Sequence, residues 1–309
     1  MGRCDVGSIV TRRQVLMLAS LALLWGASFM FIKICVRELE PTLLVCLRLG
    51  IGAVMLLPLA VARLGARRFL REFRSAWTSL VLIGAVNSAV PITALSWAEQ
   101  RLDSGLAAVI QASAPLFTAL LALRFSRSEI VTGPRLLGLL VGFGGVALLV
   151  GVQPSGTVRA ALAVTFSALC YAIAALASAR LLPGLSPLVS ATGALAAGTL
   201  LLVPFAASQA PSHFPSREIV GALLALGIGG TSVGYALYYA LLTSAGASRS
   251  ILITYLVPAI ALVYGAVFLG ERVTVAAVGG LALVLVGVAL GTGVVKLARR
   301  ETQVTQVGG

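Results

Sequence analysis

Two prolines set up the first chemical pattern in this chain. Pro115 follows Gln111, and Pro258 follows Thr254, by four positions each. A proline has no amide proton for the carbonyl four residues back. Each site therefore leaves a main-chain acceptor beside a side-chain amide or hydroxyl. That pairing suits the amino or hydroxyl group of a ligand, and equally a plain kink satisfied by a neighbouring serine or threonine. Trp25, Asn87, Ser88, Tyr171, Thr231 and Tyr255 add polar and aromatic groups in similar settings, with Tyr235 and Tyr238 close by. The charged candidates are few. Arg48 could clamp a carboxylate, snorkel to the surface, or pair with Glu99, Asp103 or a carbonyl. Lys33 is expected to snorkel from the end of its segment. Glu99 reads as a gate or, more simply, as a solvated helix end.

Other chemistries lack their residues. The four cysteines (Cys4, Cys35, Cys46, Cys170) and the one histidine (His213) form no CxxC pair and no His/Cys cluster. No zinc or haem ligand set results, and no metal or cofactor is expected. Scattered Ser, Thr and Tyr with no His or acid beside them offer no nucleophile with its base, which argues against an intramembrane enzyme.

The elements that must position these side chains are membrane helices. Of 309 residues, 59% are apolar and 11% charged, against about 25% charged in soluble domains. Apolar stretches near the ~20 residues of a crossing helix fall at 15–36, 41–62, 77–98, 104–125, 134–152, 160–182, 186–207, 219–241, 250–268 and 274–295. The run after Arg12 and Arg13 is too long for a signal-peptide core and reads as a permanent first helix. The expected fold is an all-α membrane protein of ten transmembrane helices.

A net charge of +13, from 23 basic and 10 acidic residues, would suggest nucleic acid in a soluble protein. Placed on alternating sides, sixteen basic residues fall on the N-terminal side and five (Arg37, Arg101, Arg159, Arg217, Arg272) on the other, with Lys33 and Arg48 inside spans. The positive-inside rule then predicts a multi-pass protein of the cell membrane with both termini cytoplasmic. The charge is a topology signal, and no nucleic-acid partner is implied.

The two halves resemble each other. Trp25, Pro41 and Pro58 match Tyr171, Pro187 and Pro204 at an offset of 146; Gly84, Ser88, Gln111 and Pro115 match Gly227, Thr231, Thr254 and Pro258 at 143. Glu129, Thr132, Gly138 and Gly145–Leu148 match Glu271, Thr274, Gly280 and Gly287–Leu290 at 142. Five spans per half, over 16–152 and 160–295, is an odd number, so the second repeat must enter the membrane inverted. Inverted repeats allow two packings of similar energy, each open to one side, with the substrate near the bilayer midplane between them.

These residues resemble the EamA-type members of the drug/metabolite transporter superfamily. The resemblance covers roughly 16–295. It is carried by Leu24–Phe29 with Lys33, Pro41 and Arg48, Ala98-Glu99-Gln100, Ser104–Ala108, Pro115–Phe117 and Gly138–Val146. In the second half it is carried by Val257-Pro258, Leu269–Arg272 and Gly279–Leu290. Phe125–Glu129 departs from the Leu-Gly-Glu-like turn usual there. The resemblance implies a transporter of amino acids, other metabolites or drugs. No Asp or Glu falls near the middle of a span, so proton-coupled export of organic cations fits poorly. A secondary exporter of neutral or zwitterionic metabolites such as amino acids, moved by alternating access, fits best; a multidrug exporter, or a channel, is the alternative. Gly138 with Gly142, and Gly287 with Gly291, are small-residue pairs expected to pack within the chain, with a homodimer contact as the other use.

Overall fold

The computed structural model describes residues 11–125, 133–151, 157–209, 211, 213–245 and 252–291. Expectations on Arg3, Cys4, Arg127, Glu129, Thr132, Arg249, Lys296, Arg299 and Arg300, and on the 126–129 turn, lie outside the described residues. The described chain is helical: α1 (Arg12–Cys35), α2 (Pro41–Leu64), α3 (Ala66–Ser75), α4 (Trp77–Glu99), α5 (Ser104–Gln111), α6 (Ala114–Phe125), α7 (Gly133–Gly151), α8 (Val158–Leu181), α9 (Pro187–Ala207), α10 (Arg217–Ala245), α11 (Ile253–Leu269) and α12 (Val275–Gly291). Among the described residues, seven helical stretches are long and apolar enough to cross a membrane, the α5–α6 stretch counting as one of them. Shorter apolar helices lie at Arg135–Gly151, Ile253–Leu269 and Val275–Gly291, where the remaining spans were expected. This is an all-helical membrane protein.

Local sequence explains the ends. Thr11 and Gln14 close a capping box on α1, each side chain bonding the other's main-chain amide (3.3 and 3.1 Å). Pro41 and Pro187 open α2 and α9 at the first position, where a missing N–H costs nothing. Gly65, at φ 79°, turns the chain from α2 into α3. α3 is short and amphipathic. Its Phe69 and Phe73 stack at 6.2 Å, and its Glu72 carboxylate accepts the Ser186 amide at 3.0 Å.

The continuous helix expected over 104–125 is broken at Ala112 and Ser113. Pro115 prevents the usual bond, and the buried Ser113 hydroxyl donates to the Ile110 carbonyl at 2.7 Å. α11 runs unbroken through Pro258. The two prolines are equivalent in sequence but not in effect. α4 and α10 each carry a π-helical stretch, Ala85–Ala89 and Ala225–Val233, a geometry common at functional sites.

Packing respects the internal repeat. α2 lies on α9 and α7 on α12; α1 contacts α11 as α8 contacts α5, and α1 contacts α10 as α8 contacts α4. Exchanging the halves returns these same pairs. α7 and α12 run antiparallel: Gly138 meets Leu290 and Gly291, Gly145 meets Leu283, and Gly280 meets Leu149. Among the described residues the small-residue pairs thus serve contact within one chain.

Hydrogen bonds gather the loops into two ends. Glu38 accepts the Ser216 amide (2.9 Å) and Arg37 pairs with Glu218 (3.4 Å) at one end. At the other end Gln14 donates to the Ser244 carbonyl (2.8 Å).

Candidate binding site around Arg48

Arg48 sits on α2, nine-tenths buried (9% exposed). Its Nε donates to Thr231 Oγ1 at 3.0 Å. Thr231 lies in the π-helical stretch of α10, and its own hydroxyl donates to the Leu226 carbonyl at 2.9 Å, five residues back. That wider turn places the Thr231 oxygen on Arg48, which settles the pairing in favour of a hydroxyl. The Nη groups of Arg48 have no protein partner among the described residues. Tyr171 on α8, Tyr235 on α10, Glu99 on α4 and Cys35 on α1 lie within electrostatic reach of the guanidinium.

Asn87 and Ser88, in the π-helical stretch of α4, lie beside Tyr235. Asn87 Nδ2 donates to Tyr235 Oη at 3.4 Å, and Ser88 lies buried beside that hydroxyl. Trp25 Nε1 donates to the Gly230 carbonyl at 3.1 Å. Its ring meets Tyr235 edge-on at 6.5 Å and Tyr238 at 5.6 Å. The structure therefore brings Trp25, Arg48, Asn87, Ser88, Tyr171 and Thr231 together, with Tyr235 as their hub. Residues from both halves meet here, yet the charge comes from one: the counterpart of Arg48, 146 positions on, is Ala194.

Gln111 lies at the end of α5 and Thr254 and Tyr255 at the start of α11, where Ile253 and Val257, on either side of Thr254, pack in one cluster with Trp25. Gln111 Oε1 is buried without a partner among the described residues. Thr254 is half-buried in the first turn of α11, and Tyr255 packs on the cluster of Ala112, Leu116, Leu139, Val146, Val284 and Val288. No hydrogen bond joins Gln111 or Thr254 to Arg48 among the described residues. Pro115 and Pro258 shape the backbone on either side of this region.

Two expectations are corrected. Lys33 does not snorkel: its Nζ donates to the main-chain oxygens of Glu99 (2.6 Å) and Leu102 (2.7 Å), closing the end of α4 where a cation suits the helix dipole. Glu99 is not a solvated helix end. It is fully buried (0% exposed), and neither carboxylate oxygen has a hydrogen-bond partner among the described residues. An apolar run shows only that a helix starts or stops near Glu99, not which neighbours cover it.

Glu271 was missed as a structural residue. Gly270, left-handed at φ 67°, ends α11 and lets the Glu271 amide bond the Gly265 carbonyl at 3.0 Å. The Glu271 side chain then crosses to the first half and accepts from Ser104 N (2.8 Å), Ser104 Oγ (2.9 Å) and Gly105 N (3.1 Å). A Cβ at Gly265 would collide with that carboxylate. Sequence does hold a signal: an acidic residue after a C-terminal Leu-Gly fits a dipole interaction with the start of another helix. Asp103, in the turn between α4 and α5, has its carboxyl raised above the ordinary range by burial and then by the charge of Glu271.

Two openings flank this region. A cavity of about 90 Å³ lies against Asp103, Gly105, Glu271 and Thr274. A groove of about 540 Å³ lies along Glu40, Thr93, Trp97, Phe205 and Gln209. Arg48 and Trp25 line neither.

Comparison with known proteins agrees with this architecture. The model of the EamA-like transporter family matches twice, over residues 12–151 and 158–292. An "Uncharacterized transporter" of Archaeoglobus fulgidus is 28% identical over 89% of this chain and 97% of its own. A "Probable terminal-alkyne amino-acid exporter" of Streptantibioticus cattleyicolor is 30% identical over 90% of each. The "Uncharacterized inner membrane transporter YedA" of Escherichia coli K12 is 26% identical over 83% of each. A solved crystal structure shares the fold at a TM-score of 0.66 and 21% identity, over 93% of this chain and 99% of that one.

Proposed function

Because the chain belongs to the EamA-like transporter family, a family of transporters and not of enzymes, we propose that it is a secondary transporter exporting small zwitterionic or neutral metabolites such as amino acids by alternating access. Arg48 carries this reading. A buried guanidinium held only through Nε keeps its Nη donors for a planar, bidentate hold on a carboxylate. Asn87, Ser88 and the hydroxyls of Tyr171 and Tyr235 supply acceptors for an ammonium or hydroxyl group of the same ligand. Trp25 and Tyr238 provide an apolar wall. Gln111, Thr254 and Tyr255, with the helix break before Pro115 and with Pro258 on α11, form a second polar stretch of the path. The similar S. cattleyicolor protein, named as an amino-acid exporter, supports the substrate class.

Ten spans in two inverted five-helix repeats, 16–152 and 160–295, complete the reading. The antiparallel contact of α7 with α12, the last helix of each half, supports the inversion: helices equivalent in sequence point opposite ways. The basic residues of α3 lie at the Gln14–Ser244 end, which supports both termini in the cytoplasm. The aromatic wall of Trp25, Tyr235, Tyr238 and Tyr239 favours a second reading, export of apolar aromatic compounds.

The test is counterflow in proteoliposomes against a panel of amino acids and aromatic amines. Wild type is expected to exchange one or more amino acids, and Arg48→Gln to lose that exchange. An Arg48→Gln variant that exchanges amino acids like wild type removes the clamp. Exchange restricted to amines moves the assignment to the second reading.

A further inference from the structure

α3 carries a charged face that the candidate binding site does not use. Its residues, Ala66–Ser75, include four arginines and one glutamate, and none of them is buried. One side of the helix is docked on the protein. The Glu72 carboxylate accepts from Arg68 Nε at 2.7 Å and from the Ser186 amide at 3.0 Å. Phe73, stacked on Phe69, reaches Gly193 on α9, where a Cβ would stand 3.3 Å from its ring. The other side is open. Arg67, Arg71 and Arg74, spaced four and three apart, share one face of the helix. All three are exposed, with no hydrogen bond or ion pair among the described residues. Arg71 comes within electrostatic reach of Glu72, whose two oxygens are already taken. Exposed arginines elsewhere do have partners: Arg37 pairs with Glu218, and Arg101 lies over the Trp97 ring.

Apolar side chains adjoin the open face. Leu70 falls three positions after Arg67 and four before Arg74, hence beside both, and it is 45% exposed. Trp77, in the first turn of α4, is 58% exposed. A soluble anion on the arginines would leave both of these side chains in water. A phospholipid serves both groups: its phosphate oxygens fit the guanidinium forks, and its acyl carbons cover the leucine and the indole. An amphipathic helix rich in arginine lies in the plane of the membrane interface, a depth that indoles also favour. α3 is placed for it, because it joins the membrane helix α2 to the membrane helix α4. A headgroup of net negative charge suits this face better than a zwitterionic one, whose ammonium would meet three like charges.

We propose that Arg67, Arg71 and Arg74, flanked by Leu70 and Trp77, form a binding site for an anionic phospholipid. Each arginine near anionic headgroups contributes about fivefold in affinity. The site rests on the membrane fold alone and stands or falls apart from the transport reading.

The test is native mass spectrometry of the delipidated full-length protein in detergent, titrated with phosphatidylglycerol, phosphatidylcholine or inorganic phosphate. Wild type is expected to bind phosphatidylglycerol at least about tenfold more tightly than phosphatidylcholine, and excess inorganic phosphate should not displace it. Arg67→Gln/Arg71→Gln/Arg74→Gln is expected to lose that preference. Arg159→Gln/Arg217→Gln/Arg272→Gln, which removes as much exposed charge elsewhere, should keep it. Leu70→Ser/Trp77→Ser is expected to weaken the binding of both lipids.

Equal binding of the two lipids by wild type overturns the proposal. So does a preference that survives in the α3 triple variant, or one lost equally in the other triple variant, which would reduce it to net charge. Displacement by inorganic phosphate would make the face a soluble-anion site and overturns it as well. Lipid binding untouched by Leu70→Ser/Trp77→Ser does the same. Where the α3 triple variant does not fold, Arg67→Gln, Arg71→Gln and Arg74→Gln decide singly. Each is expected to lose about fivefold in phosphatidylglycerol affinity, and wild-type affinity in all three overturns the site.

Discussion

The carboxylate of Glu271 accepts the Ser104 amide at 2.8 Å and the Ser104 hydroxyl at 2.9 Å, so a loop of the second half caps a helix of the first. The third bond, from Gly105 N, makes this a full N-terminal cap supplied across 166 residues of chain. Removing a charged acceptor from amides of this kind costs about 1–3 kcal/mol. Glu271→Ala is expected to lower the thermal midpoint of the detergent-purified protein clearly. Glu271→Gln, which keeps one acceptor oxygen, should lower it less. Unchanged melting of Glu271→Ala would show that the cap carries no weight.

Lys33 acts on the same turn from the other side, covering the last carbonyl of α4 and that of Leu102 in the turn. Lys33→Met is expected to destabilise by about 1–2 kcal/mol, the range for a cation at a partly buried helix C-terminus. Both Lys33 and Glu271 act electrostatically on Asp103. The double variant Lys33→Met/Glu271→Ala should therefore depart from additivity by more than about 0.5 kcal/mol. A double-mutant cycle on unfolding free energies measures the coupling, and strict additivity would mean the two ends of the turn respond independently.

Acid should loosen α3 from the α8–α9 turn. The Arg68 hydrogen bond, and then the Ser186 amide, hold the Glu72 carboxyl below the usual carboxylate range. A depressed folded value means the stabilisation is present above the unfolded value and is lost as pH falls through the folded one. Limited proteolysis at the arginines of α3 should accelerate in mild acid below the ordinary glutamate range. Glu72→Gln should show that faster cleavage already at neutral pH and little further change on acidification. A pH profile shared by wild type and variant would place the acid sensitivity elsewhere.

The α7–α12 contact makes a paired prediction. A Cβ at Gly287 would strike the backbone of Gly142, whereas one at Gly279 on the same helix would meet nothing within 4 Å. Gly287→Ala is expected to cost about 1–3 kcal/mol through overpacking. Gly279→Ala should be neutral or gain up to ~1 kcal/mol from helix propensity. Comparing thermal midpoints of the two variants checks this, and equal effects would contradict the packing.

Much of the architecture is legible in one dimension. Hydropathy runs place α1, α2, α4, α8, α9 and α10, because a membrane helix is recognised by composition along a single segment. The basic residues and the repeat offsets are likewise local tallies, as are Pro41 and Pro187 at helix starts. The Pro115 break could be expected, though not that it would fall at Ala112–Ser113 while α11 runs straight through Pro258. The difference lies in Ser113, whose buried hydroxyl repairs one backbone and has no match in the other.

The functional centre divides differently. Sequence by itself determined which residues could recognise a ligand inside an apolar chain, and Arg48, Thr231, Trp25, Asn87, Ser88 and Tyr171 were all among them. Only the tertiary structure decided how they combine. It joined Arg48 to Thr231 across 183 residues, packed Tyr255 on a separate apolar cluster, turned Lys33 inward and sealed Glu99. The physical reason is that hydropathy reports whether a segment leaves water, while the energy of a buried charge depends on the few atoms that reach it. Those atoms come from helices distant in sequence, and only packing brings them within a hydrogen bond.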